Sequence, residues 1–256
     1  MPDRRTLTYT YDGSFDGLLC CVFESYEKNE IPADILPEGA QIPLLLPVKA
    51  VENDAERARH VLISVKEKIG KKALRFVRRA YLTCHPKKEI LILEFLRLGY
   101  SKGPSVMHML TDTAVHELSC AVRHLEREAA HYAGFIRFSE NAGALSAVIE
   151  PKNIVLPLIA RHFRERFPDE RFFIYDRTHE MALIHADGSV IICGAEAFVQ
   201  PEPDAQELKF RSLWRLFYDA IEIRERRNPR CRMNNMPKRF WKCMTEFARG
   251  GEGGYF

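Results

Sequence analysis

Hydrophobic and polar positions repeat with two different periods along this chain, and the change of period divides it. Leu7-Thr-Tyr-Thr-Tyr11 alternates as a short strand does, and Asp12-Gly13 marks the turn after it. Phe15, Leu18, Leu19, Val22, Phe23 and Tyr26 then share one face of a helix that Ser14 can cap. Prolines at 32, 37, 43 and 47 prevent regular helix over 31–47, which predicts a long extended connector. From Asn53 to Tyr132 the period is helical. The pattern predicts helices from Asn53 to Gly70, from Lys71 to Cys84, from Pro86 to Gly99 and from Asp112 to Tyr132. The third, with Ile90, Leu91, Ile92, Leu93, Phe95 and Leu96, is apolar nearly all round and so belongs at the centre of a bundle.

At Ala133 the period falls to two. Phe135–Phe138 and Leu145–Ile149 flank Asn141-Ala-Gly143 and predict a β-hairpin. A helix from Val155 to Phe167 follows, then strands at Arg171–Tyr175, Met181–His185 and Ser189–Cys193, the last two joined by Asp187-Gly188. The order β-β-α-β-β-β predicts an antiparallel sheet with a helix on one face. After a Pro-rich link at 201–204, the stripe Phe210, Leu213, Trp214, Phe217, Ala220 and Ile221 predicts a helix packed inward and ended by Asn228-Pro229. Pro237 opens a last helix that reaches Arg249. The fold class is therefore α+β: an N-terminal helical bundle with a short N-terminal strand, an antiparallel sheet module and C-terminal helices. Boundaries are expected at 1–132, 133–200 and 201–256, the three parts packing as one compact unit.

Composition agrees with a folded core, since 46% of the 256 residues are apolar and 29% charged. No run of about 18 apolar residues occurs, and the chain opens on Met1-Pro-Asp-Arg-Arg5, so a soluble cytoplasmic protein without a membrane partner is expected. The seven cysteines, at 20, 21, 84, 120, 193, 231 and 243, form no Cys-x-x-Cys pair, which argues against a disulfide framework, a zinc ribbon or an iron–sulfur cluster.

Charge is more informative than composition. Residues 207–252 hold twelve Lys/Arg against six Asp/Glu, while the rest of the chain is at −3. Between Arg224 and Lys242 there are eight cations and one anion, Glu225. Such asymmetry points to a polyanionic partner. In Glu225-Arg-Arg-Asn-Pro-Arg230 the guanidiniums Arg226, Arg227 and Arg230 and the amide of Asn228 meet at a helix break, where they suit phosphate oxygens. The same run also reads as a solvated helix terminus. In the next helix the period buries Phe240, Met244 and Phe247 and exposes Lys238, Arg239 and Lys242, with Trp241 at the border, either stacking on a base or closing the core.

Three further patterns have chemical readings. Histidines stand at 108, 116, 124 and 131, and Glu128-Ala-Ala-His131 has the spacing of a carboxylate metal helix. A di-iron site needs a second such motif, which the sequence lacks, so His131 reads rather as a residue that caps or packs at the helix end. Glu150-Pro-Lys152 after an apolar strand has the form of the Glu-x-Lys of metal-dependent nucleases. The preceding strand supplies no aspartate, and Glu140 is the nearest carboxylate; the bland alternative is a strand ending in a proline turn. Cys20-Cys21 sits in the first helix, where cysteine is more often core than nucleophile. With no Gly-x-Ser-x-Gly elbow, phosphate loop or dinucleotide fingerprint, no cofactor is expected, and these patterns identify no catalytic residue.

Tyr11-Asp-Gly-Ser-Phe-Asp-Gly17 with Phe23-Glu24, His131-Tyr-Ala-Gly-Phe-Ile-Arg-Phe138, Ile149-Glu-Pro151, Leu156-Pro-Leu158, His162-Phe163, Arg166-Phe-Pro168, Glu225–Arg230 and Met236-Pro-Lys-Arg-Phe-Trp-Lys242 together resemble the bacterial family labelled probable DNA metabolism proteins. The resemblance runs in order along nearly the whole chain; residues 53–110 match in character alone. It implies a DNA repair accessory that binds DNA, works with a radical-SAM protein and in some members is joined to a uracil-DNA glycosylase domain. The sequence ends at Phe256 without that extension, so base excision is expected from another polypeptide. The resemblance carries over no catalytic residues. It makes DNA the expected polyanion for Arg226–Lys242, with Arg137 joining them. The alternatives are a metal-dependent nuclease or hydrolase using Glu150 and Lys152, and a protein-interaction module whose basic face meets an acidic surface.

Overall fold

A computed structural model of the chain describes residues 7–41, 46–141, 143–196, 198 and 202–247. The fold is α+β, and the chain divides into two compact units, Met1–Leu125 and Glu126–Phe256. The division falls inside one long helix, Thr113–Phe135, which is α5 in the numbering below.

In the first unit β1 (Thr8–Tyr11) is the middle strand of a three-stranded parallel sheet, between β2 (Asp34–Pro37) and β3 (Val48–Ala50). The proline-rich stretch 31–47, expected to be a plain connector, thus supplies one edge strand, β2, and the other, β3, starts directly after it. Proline is tolerated there because an edge strand leaves one side of its backbone unpaired. α1 (Phe15–Glu27) turns Leu18, Leu19 and Val22 of the expected stripe inward, with Phe15 and Phe23 partly buried and Tyr26 at its end exposed; Ser14 is its cap, Gly17 N–H donating to Ser14 Oγ at 2.9 Å. α2 (Ala55–Lys68), α3 (Lys71–Tyr81) and α4 (Lys88–Lys102) follow, and Ile92, Leu93, Phe95 and Leu96 of α4 are fully buried, as its all-round apolarity predicts. A 3₁₀ turn, Gly103–His108, leads to α5 (Thr113–Phe135), the last of the four helices predicted between Asn53 and Tyr132.

The Tyr11–Gly17 block is built of side-chain caps. Asp12 Oδ1 accepts from the N–H and Oγ of Ser14, its Oδ2 accepts from Asn53 Nδ2 at 2.7 Å, and the Tyr81 hydroxyl donates to Gly13 O. Burial pushes the Asp12 carboxyl up, but these hydrogen bonds outweigh it and hold the group below the usual carboxylate range. Gly13 takes a positive φ of 79°. A Cβ at position 17 would overlap Asp12 Oδ1, so the second glycine of the block makes room for the cap.

In the second unit the strands are β4 (Ser139–Asn141), β5 (Ala144–Ile149), β6 (Phe172–Asp176), β7 (Met181–Ala186) and β8 (Ser189–Gly194), in that spatial order. The β-β-α-β-β-β sequence of elements is present, but the sheet is mixed: β5 and β6 pair parallel, the other neighbours antiparallel. α6 (Leu156–Arg166), which packs on β7 and β8, is the reason, because a helix laid on one sheet face returns the chain to start the next strand in the same direction. The hairpin begins later than the period suggested: α5 continues to Phe135, and Ala142 of the predicted turn lies outside the described residues. Phe138, Phe163, Phe167 and Phe172 pack ring to ring, with centroids 5.4 to 6.5 Å apart.

The C-terminal part departs furthest from expectation. α7 (Ala205–Ala220) forms, but no residue in it is buried. Phe210, Leu213, Phe217 and Ile221 are each at least half exposed, so the stripe expected to face inward faces solvent. Roughly 120° round the helix lie the groups that tie it down: Arg211 donates to Ser139 Oγ at 2.6 Å, Arg215 to Thr245 O at 3.3 Å, and the Tyr218 ring meets Phe247 edge-on. Trp214, between the two faces, donates from Nε1 to Glu246 Oε2 at 3.0 Å. Guanidinium and indole donors found fixed acceptors, and their geometry turned the apolar stripe outward. Replacing Phe217 by serine is therefore expected to leave urea unfolding within about 0.5 kcal/mol of wild type, whereas a residue facing a core would cost several times that.

Beyond α7 the helix does not run to Asn228. A 3₁₀ turn covers Arg224–Arg226, Asn228 caps a short α8 (Pro229–Asn235), and Lys238–Cys243 is a 3₁₀ turn where an α-helix to Arg249 was expected. Arg249 lies outside the described residues. Phe240 and Met244 are buried, while Lys238, Arg239 and Lys242 are exposed. Among the described residues no helix is long and apolar enough to cross a membrane.

Candidate nucleic-acid interface

The cations of the basic segment divide by what holds them. Arg137, in the coil after α5, donates to Gly134 O at 3.0 Å and to Glu246 Oε1 at 3.0 Å, and its guanidinium lies over the Trp214 ring. Glu246 is buried and shared by Arg137 and Trp214, so this arginine is a strut of the second unit. Arg239 reaches back to the buried Glu128 at 3.1 Å and lies over the Phe240 ring. Lys242 pairs with Glu150 at 2.8 Å. Trp241 donates to Met236 O at 2.9 Å and stacks on Phe247 with centroids 4.6 Å apart. That commits its N–H, and the ring is half-buried. Lys238 lies 5.8 Å from the centre of the Trp241 ring.

The stretch from 224 to 230 is different. Arg224, Arg226, Arg227, Asn228 and Arg230 are all exposed. Asn228 spends its Oδ1 on the Cys231 N–H at 2.9 Å, as an N-cap does, and Arg227 stands 3.4 Å from Glu222. Among the described residues no carboxylate pairs with Arg224, Arg226 or Arg230. The break between the 3₁₀ turn and α8 brings these charges together without using them. Exposed guanidiniums keep their full charge and their fork of donors, whereas a cation already paired with a carboxylate attracts a phosphate weakly.

The two motifs with metal readings are occupied by structural work. Glu128 Oε1 accepts from Lys152 N–H at 3.1 Å, and its Oε2 from Asn153 N–H at 2.9 Å and Asn153 Nδ2 at 2.6 Å. The carboxylate thus fastens the β5–α6 turn, in which Lys152 serves through its backbone. His131 stacks on Phe135 and meets Phe240 edge-on. Burial, with Arg239 beside it, holds the imidazole below its usual range. Glu150 divides its two oxygens between Arg177 at 2.8 Å and Lys242. The Lys242 hydrogen bond holds its carboxyl below the usual range against the opposing effect of burial. Among the described residues no group of three or more His, Cys, Asp or Glu could hold a metal ion.

The family model of a domain of unknown function (DUF4130) matches residues 86–246. The chain belongs to that family. The DUF4130 match begins just before α4 and takes in Glu128, Glu150, the exposed arginines and Glu246, so every ion pair described in this section falls inside it. No curated protein matches the chain.

The cysteines, of which Cys120, Cys193, Cys231 and Cys243 fall within the DUF4130 match, offer a check on this packing. Cys243 is tucked against Val148 O, and burial pushes its thiol up to about 11, so it stays protonated at neutral pH. Cys84, Cys193 and Cys231 are exposed. A neutral-pH thiol reagent is expected to label those three quickly in the native chain and to reach Cys20, Cys21 and Cys243 only on unfolding. Rapid native labelling of Cys243 would contradict the docking of the 238–243 turn on β5.

Proposed function

We propose that this chain binds DNA, through Arg224, Arg226, Arg227 and Arg230, as an accessory of DNA repair. In this reading it belongs with the probable DNA metabolism proteins it resembles and works beside a radical-SAM repair protein. The observation that carries the reading is the contrast between two sets of cations. Arg137, Arg239 and Lys242 spend their charge on Glu246, Glu128 and Glu150, while around the helix break Arg224, Arg226 and Arg230 have no carboxylate partner among the described residues and Arg227 meets only Glu222, at 3.4 Å. The expected interface is thus narrower than 226–242 and begins earlier.

The test is DNA affinity against salt. Each phosphate contact contributes a slope of about −0.9 for duplex DNA. Changing Arg226, Arg227 and Arg230 to alanine is expected to flatten the slope by roughly 2 to 3. Equal slopes and affinities for wild type and variant would refute the reading.

A second reading, a protein-interaction module, is favoured by the exposed stripe of α7, since a contiguous apolar face of this kind commonly marks a partner site. The two separate cleanly: a Leu213→Ser/Phe217→Ser variant leaves DNA affinity unchanged if DNA lies on the arginines alone.

A further inference from the structure

Beside the exposed arginines is a hollow of about 490 Å³, within the size range of small-molecule sites. Its apolar walls are Tyr218, Ile221, Ile223 and Met236. The Tyr218 ring is fixed by its edge contact with Phe247, 5.6 Å between centroids. Three guanidiniums, those of Arg226, Arg227 and Arg232, line the same hollow against one carboxylate, Glu222. Arg232 is set by rings, lying 5.8 Å from the Trp241 centroid and 5.4 Å from that of Phe247, and among the described residues no carboxylate pairs with it. Asn228 and Asn235 add amides. Asn228 has committed only its oxygen, to Cys231 N–H, and Asn235 only its nitrogen, to Cys231 Sγ.

A flat apolar body, an anion and a hydrogen-bonding edge are what such a lining complements, and a nucleotide joins all three. A paired nucleotide cannot offer them together, because its faces are stacked and its edge is bonded to the opposite strand. We propose that the hollow takes one unpaired nucleotide, its base between Tyr218 and Ile221, Ile223 and Met236, and its flanking phosphates on Arg226, Arg227 and Arg232. The inference rests on the DNA reading above and adds a preference to it: this chain favours DNA with an unpaired base over continuous duplex.

The experiment measures fluorescence anisotropy of the full chain at one salt concentration. Its probes are a duplex with a single bulged thymidine, the same duplex with an abasic bulge and the uninterrupted duplex. The first two carry the same phosphates, so their ratio reads the base alone. A base stacked in the hollow is expected to make the thymidine bulge bind about tenfold tighter than the abasic one. An Ile221→Gln/Ile223→Gln variant alters two exposed walls without altering charge and is expected to bring the ratio close to one. Equal binding of thymidine and abasic bulges by the wild type overturns the inference and leaves the DNA reading standing. A tenfold ratio that survives in the double variant overturns it also, since the base then sits elsewhere. Absence of binding to all three probes overturns the DNA reading and this inference with it.

Discussion

Replacing Phe240 by alanine is expected to destabilise the second unit by about 3 to 5 kcal/mol, the range for removing a large aromatic from a packed core. The ring is 0% exposed and meets His131, Tyr132 and Phe135 with centroids 5.0, 4.9 and 5.6 Å away. It is the point where the C-terminal segment is fastened to the end of α5. A domain is stable by only about 5 to 15 kcal/mol, so the loss should be plain in a urea unfolding curve followed by tryptophan fluorescence, Trp214 and Trp241 both lying in this part of the chain. A cost below about 1 kcal/mol would mean that the 238–247 segment is not docked through this ring.

Glu128→Ala is expected to cost about 3 kcal/mol, near the lower end for breaking a buried ion pair by removing one partner. The carboxylate is 2% exposed and accepts three hydrogen bonds from Lys152 and Asn153 besides facing Arg239. Its loss removes the acceptor of two hydrogen bonds from the buried Asn153, one from the backbone N–H and one from the side-chain amide. Arg239→Ala should cost much less, because that guanidinium is about half exposed and Glu128 keeps its other three donors. Chemical denaturation of both variants checks the asymmetry; equal costs would mean that the ion pair, rather than the turn it closes, carries the energy.

How much of this was legible in the sequence depends on the range of the interaction that decides each feature. The burial of Leu18, Leu19 and Val22 on α1 and the burial of α4 follow from local periodicity, and both are present, while Tyr26 at the end of the α1 stripe is exposed. Capping by Ser14 and the strand–helix–strand order of the second unit are local too. Whether β5 and β6 run parallel is not local, because it depends on where α6 carries the chain back across the sheet. The α7 stripe was read as a helix face correctly and as a buried face wrongly. Period tells that a helix has two faces, while Ser139, Thr245 and Glu246, remote in sequence, decide which is held.

The candidate site shows the same limit. Charge counting found the basic segment, and helical phase separated the buried Phe240 and Met244 from Lys238, Arg239 and Lys242. Exposure is not availability. Lys242 is exposed and yet paired with Glu150, 92 residues away, and Arg239 with Glu128 of α5. Glu128 and Glu150 both stand in motifs with a metal reading, so the sequence marks the right carboxylates, though for a different role. The hollow beside Arg226 had no signal, since its walls come from the end of α7, the 3₁₀ turn and α8, whose positions a one-dimensional pattern does not relate.

The division of the cations is the central claim, and a paired set of variants measures it directly. Arg226→Ala/Arg230→Ala removes two exposed, uncompensated charges; Arg239→Ala/Lys242→Ala removes two that already face Glu128 and Glu150. DNA affinity against salt and thermal unfolding are recorded for both. The first variant is expected to flatten the salt slope by roughly 1.8 with its melting temperature unchanged, and the second to keep the wild-type slope and melt earlier. The reverse pattern, with DNA binding lost in the second variant and kept in the first, would contradict the account.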